Sequence, residues 1–135
     1  MDGTPPVSTF TTPLDVEYLD GRNWRLIADF EFASDVLERI VRIPAGFVTD
    51  FASIPRPLWA LLPPTGPYGK PAVVHDMLYR FPACVTPTVT FREANAVLLE
   101  GMIALRVGLV TRTVIVVGVQ LFGWIVWHQY RSGSV

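Results

Sequence analysis

Residues 113–127, TVIVVGVQLFGWIVW, carry Gln120 but no charged side chain, and are bounded by Arg112 and His128. Whatever the chain folds into must keep this stretch out of water. A membrane-crossing helix needs about 20 apolar residues, whereas a run of about 10–14 is more often a buried helix. The stretch falls short of a span, so it reads as a helix buried in a core or against a protein partner. Membrane contact ranks second: Trp124, Trp127 and Tyr130 form an aromatic end that suits an interface. A complete span ranks last. Composition sharpens the problem, because 50% of the 135 residues are hydrophobic and only 17% are charged. That is apolar for a soluble domain, and the surplus must go into a core, a membrane or partner subunits. One domain of this length has room for a core.

The rest of the chain divides by local pattern. LDVEYLD, NWRLIADFEF and LERIVRIP are short, partly alternating runs of aromatic and branched residues, as half-buried strands require. DGRN supplies a hairpin turn between the first two, and ASD at 33–35 a second. Pro44, Gly46, Pro55 and Pro57 then force an irregular course. PLWALL reads as a short helix ended by Pro63 and Pro64, and Pro71 suits the first turn of the next helix, which runs to about Arg80. Thr90 and Glu93 have the spacing of a capping box, opening a helix through ANAVLLEGMIALR that Gly108 is placed to end. The last helix runs from about Thr111 to Arg131. The expected fold is α+β, a small antiparallel sheet packed on three or four helices, in a single domain: residues 1–50 β-rich, 51–131 helical, 132–135 a polar tail.

Several function classes are set aside early. A net charge of −1 gives no electrostatic case for nucleic acid. The single cysteine, Cys84, cannot form an internal disulfide and has no partner histidine at a recognisable spacing for a nucleophile or zinc site. The opening MDGTPPVSTF lacks the basic and apolar regions of a cleaved signal peptide.

The remaining chemistry gathers in YGKPAVVHDMLYR, residues 68–80. On a helix His75 shares a face with Ala72 and Tyr79, while Asp76 points elsewhere and meets Arg80 four residues on. One reading makes His75 a general base and Asp76 a ligand for a hard cation. In the other, the default for an isolated His-Asp pair, His75 hydrogen-bonds within the core and Asp76 pairs with Arg80. Two neighbours bear on the choice. LPPTGPYGK, residues 62–70, is a glycine-bearing loop whose carbonyls could join a cation beside Asp76. Asn95 lies in the following helix, and two antiparallel helices joined by FPACVTPTV would let it orient the His75 ring, as the third group of a triad does.

The string IPAGFVTDFASIPRPLWALLPPTGPYGKPAVVHDMLY, followed by REANAVLLEGM, resembles the small phage and prophage family called domain of unknown function 1353. The likeness covers roughly residues 38–131, and GFVTDFASIP together with HDMLY is its most specific part. The family occurs in tailed-phage and prophage genomes and has no assigned activity; at the position of Asn95 it commonly has aspartate. The resemblance implies a virion protein, made in the host cytoplasm, that sits in the tail or its tip (baseplate) and contacts other tail proteins and copies of itself. The motif is also similar to secreted-type phospholipases A-two. That likeness implies His75 as base, Asp76 as calcium ligand, Tyr79 as support and Asn95 in the orienting position. No other cofactor is expected. The departures point to a vestigial site: Asn95 is neutral, and neutralising a triad aspartate costs on the order of 10⁴ in rate. The bracing disulfides are missing too, and the N-terminal sheet has no counterpart.

Asp50, with Thr49 and Ser53, reads as a turn or helix cap, with completion of a site around His75 and Asp76 as the alternative. Arg92 reads as a solvated or Glu-paired residue, or else as a partner locking Asp50 or Asp76. Arg56 reads as surface and His128 as a cation near a helix C-terminus. The expected function is a structural or accessory virion protein. The rivals are a calcium-assisted hydrolase acting on the host envelope and a small membrane-associated lysis or exclusion factor.

Overall fold

The structure is a computed structural model that describes residues 9–20, 23–49 and 69–132. Asp50, Ser53, Arg56, the PLWALL segment and nearly all of the loop before Gly69 lie outside the described residues, and so do the expectations placed on them.

Six strands are described: β1 (Thr9–Phe10), β2 (Val16–Asp20), β3 (Asn23–Leu26), β4 (Phe30–Ser34), β5 (Arg39–Ile43) and β6 (Val48–Thr49). They form two three-stranded antiparallel sheets, ordered β1–β4–β5 and β2–β3–β6, within an α+β fold. The single run NWRLIADFEF is thus two strands in different sheets. The break falls at Ile27–Asp29, where the chain is fastened by bonds that belong to neither ladder. Leu26 N–H donates to Phe47 O (2.9 Å), Ile27 N–H to Asp15 O (3.0 Å) and Gly46 N–H to Leu26 O (2.7 Å). Asp29 then accepts from Ala45 N–H at 2.8 Å. These contacts pull the chain out of one sheet and release it into the other. Gly46 makes the return possible, since its φ of 93° suits a residue without a Cβ.

Alternation is clean where a strand faces the core. Phe30, Phe32 and Ser34 of β4 point inward, and Phe30 pairs with Ile43 and Phe32 with Val41 across the ladder. Phe10 of β1 closes this face, its ring 4.5 Å from Phe32 and 5.6 Å from Phe30.

Three helices follow among the described residues: α1 (Gly69–Arg80), α2 (Phe91–Ala104) and α3 (Leu109–Ser132), with a 3₁₀ turn at Pro82–Cys84. Every residue of α1 from Pro71 to Tyr79 is buried. This helix is the keel of the molecule, in contact with β5, β6, α2 and α3. It runs antiparallel to α2, for His75 lies against Asn95 and Pro71 against Gly101. The α2 start is the capping box its sequence announces. Thr90 Oγ1 accepts from Glu93 N–H (3.1 Å), and the Glu93 carboxylate accepts from Thr90 N–H (2.9 Å).

Its end is not set by Gly108. Arg106 takes the left-handed position, φ 60°, donating from its N–H to Ile103 O (2.9 Å), while Val107 N–H reaches back to Met102 O (2.9 Å). That is a complete Schellman closure. It forms on an arginine because Met102 and Val107, the two side chains it joins, are both buried.

The last helix, expected in a core or against a protein partner, is not a core helix. Only Ile115, Val119 and Gly123 of α3 are buried. Val114, Val117, Leu121, Phe122, Trp124 and Ile125 are exposed.

Candidate functional site

The centre of α1 meets the first turns of α2 at a buried polar cluster. His75 is fully buried, its Nε2 2.8 Å from Asn95 Oδ1, and Tyr79 OH donates to the same oxygen at 2.8 Å. An amide oxygen only accepts, so Nε2 carries the ring proton and Asn95 fixes the tautomer. Spacing explains the convergence: His75 and Tyr79 are four residues apart on one face, with ring centroids 4.2 Å from each other. Burial lowers the His75 pKa from 6.5 to about 4, outweighing the opposing hydrogen bond to Asn95, so the imidazole is neutral at physiological pH. Burial also pushes the Tyr79 hydroxyl up, again against Asn95, and keeps it protonated as a donor. Asn95 Nδ2 is buried with no hydrogen-bond partner among the described residues. The amide is held through its oxygen alone, at the roughly 1–3 kcal/mol that an unmatched buried donor costs.

Asp76 faces away from this cluster and makes a second one. Its Oδ2 accepts from Thr49 Oγ1 of β6 at 2.6 Å, and its Oδ1 lies 3.2 Å from Arg80 Nε. Thr49 and Asp76 are both fully buried, whereas the Arg80 side chain is 24% exposed. The guanidinium also lies over the Phe47 and Tyr130 rings, at 5.9 and 5.3 Å. One carboxylate thus ties the sheet bearing β6 to the central helix.

Calcium, the cofactor the phospholipase likeness implies, does not fit the described residues. Both Asp76 oxygens are engaged, one of them by a cation that would repel the ion. Among the described residues no group of three or more His, Cys, Asp or Glu side chains could hold a metal.

The other expected residues divide. His75, Tyr79 and Asn95 are brought together, with Asp76 on the adjoining face of α1. Arg92 is exposed on α2, and the cation on Asp76 is Arg80. Of the three aromatics assigned to an interface, only Trp124 is exposed, with its ring edge-on to His128 at 5.7 Å. Trp127 packs against Tyr79 and Phe91, at 5.3 and 5.9 Å, and Tyr130 lies under Arg80.

Two participants escaped the sequence reading. Gly123 lets α3 approach α1, since a Cβ there would lie 2.6 Å from Tyr79 OH. A glycine inside a helix, where alanine is about 1 kcal/mol better, is the signal that could have exposed it. Glu100 reaches from α2 to the β4–β5 turn, accepting from Ser34 Oγ (2.7 Å), Asp35 N–H (2.6 Å) and Val36 N–H (3.0 Å). Its signal is a lone carboxylate within the apolar VLLEGM.

A family model described as "Protein of unknown function (DUF1353)" matches residues 24–119. No curated protein and no solved structure matches the chain.

Proposed function

The chain belongs to the DUF1353 family of proteins of unknown function, and from that premise we propose that it is a non-catalytic accessory protein of a phage particle. Its place is the tail or tail tip, beside other tail proteins and copies of itself. The observation that carries the non-catalytic part is the pairing around Asp76 and His75. A general base serves best with a pKa near the working pH, and burial holds His75 at about 4. The orienting residue is a neutral amide, which offers an imidazolium no charge. Asp76 is already paired with Thr49 and Arg80. Such groups tie β6, α1 and α2 into one body, and a particle component needs rigidity more than turnover. The particle setting is supported by the family resemblance alone.

Two experiments test the reading. Purified particles are digested and their peptides identified; a chain that never appears in mature virions ends the particle assignment. Phospholipid hydrolysis is measured with and without calcium for the wild type and His75→Ala. Equal background rates are expected, and calcium-dependent turnover lost in His75→Ala would replace the proposal with the hydrolase.

A further inference from the structure

We propose that the exposed face of α3 docks on an anionic lipid bilayer, with the helix lying along the boundary between headgroups and acyl chains. The inference stands apart from the proposed function and holds whether or not the chain is a particle component.

The helix has 24 residues, about 36 Å at 1.5 Å per residue. By length and composition it is apolar enough to cross a membrane, yet only 17% of its most apolar stretch is buried within the protein. One side is taken: Ile115, Val119 and Gly123, each four residues apart, face α1 and α2. On the other side Val117, Leu121, Phe122, Trp124 and Ile125 are 46–59% exposed, and Leu109 and Val110 extend the apolar surface at the N-terminal end. A continuous apolar face of this kind marks an interaction site, whereas scattered exposed side chains do not.

Charge selects the occupant. All twelve acidic residues lie at or before Glu100, against eight of the eleven basic ones, so the first hundred residues carry a net −4. Beyond Glu100 the chain has no acidic residue, and Arg106, Arg112 and Arg131 give it +3. Arg106 and Arg131 are exposed, and Arg112 and Arg131 keep their charge at the two ends of the apolar face while donating to Val107 O and Tyr79 O, an arrangement that matches an anionic bilayer. A second copy fits less well. Pairing two α3 helices would bring together two +3 segments with no acidic residue beyond Glu100 to offset them. A full span would require α3 to leave the body, stripping Ile115 and Val119 from their packing and Gly123 from Tyr79.

The test is co-sedimentation of the full chain with vesicles of phosphatidylglycerol mixed with phosphatidylcholine, and of phosphatidylcholine alone. Binding is expected to the anionic vesicles only, and to weaken in high salt. Phe122→Asp and Leu121→Asp each alter one exposed side chain. With helical circular dichroism and melting temperature unchanged, each is expected to lower partitioning about tenfold or more. Three results would overturn the proposal. The first is no sedimentation with anionic vesicles. The second is binding that both variants retain in full. The third is an oligomer on size exclusion that both variants dissolve while vesicles capture nothing, which would make the occupant a protein surface.

Discussion

At the scale of single residues the decisive choice is an amide at 95. Its oxygen takes two donors, His75 Nε2–H and Tyr79 OH, while its nitrogen is unmatched among the described residues. A carboxylate would accept the same two bonds without an orphan donor and would favour the imidazolium. Asn95→Asp is therefore expected to raise the His75 pKa from about 4, read from the ring protons by NMR. An unchanged titration would mean that Asn95 does not govern the ring. The wild-type ring carries a pH dependence of its own. Unfolded, His75 titrates near 6.5, and folded at about 4, so as pH falls the unfolded chain binds the proton first. Its stabilising effect is complete above about 6.5, shrinks through the window down to about 4, and falls no further below that. The integrated loss is on the order of 3 kcal/mol. Urea unfolding across that window is expected to show the slope, and His75→Gln to flatten it. The pairing of His75 with Asn95 was readable from sequence because helical spacing and a short connection leave two antiparallel helices few registers. Thr49 as the partner of Asp76 was not, because nothing local says which strand will lie over α1.

At the scale of elements, the end of α1 at Arg80 and the start of α2 were readable, and the end of α2 was not. Thr90 and Glu93 announce α2 through their side chains, so the signal is in their identities. The other end is closed by backbone bonds and by burial of Met102 and Val107, which override the preference for glycine and leave Arg106 at φ 60°. Left-handed backbone costs an ordinary residue roughly 1–2 kcal/mol, so Arg106→Gly is expected to stabilise the fold by about 1 kcal/mol in thermal melts. Destabilisation would mean that the arginine side chain contributes more than its backbone costs. The opposite substitution is informative at Gly123. Alanine there is the better helix former, yet its Cβ would press on Tyr79 OH and sit 3.2 Å from Val119 Cγ1. Gly123→Ala is expected to cost about 1–3 kcal/mol, the range for overpacking, and to shift the His75 ring signals through Tyr79 and Asn95. A neutral effect on both would show that α3 is not seated on α1 by this contact.

At the scale of the whole molecule, the fold class followed from two kinds of pattern, alternating runs before residue 50 and helical ones after residue 69. The division into two sheets did not, because it depends on Asp29 meeting Ala45 across a turn. Nor did the position of α3, whose apolar sequence suits a core equally well. Two buried carboxylates join the halves among the described residues: Glu100, bonded to the β4–β5 turn, and Asp76, reached by Thr49 from the sheet and Arg80 from its own helix. Removing one partner of a buried pair leaves a charge in a medium that solvates it poorly, which costs about 3–5 kcal/mol when both groups are dry. Arg80 is 24% exposed, so part of that penalty is relieved by water, and Arg80→Ala is expected to cost about 2–4 kcal/mol. Asp76→Asn in the same chain removes the stranded charge while keeping an acceptor for Thr49. The double variant should therefore recover at least about 1 kcal/mol relative to Arg80→Ala alone, a coupling that urea unfolding of the four-member cycle would measure. Additive losses would mean that Asp76 is solvated by something other than its arginine, and that the tie between sheet and helix rests on Thr49.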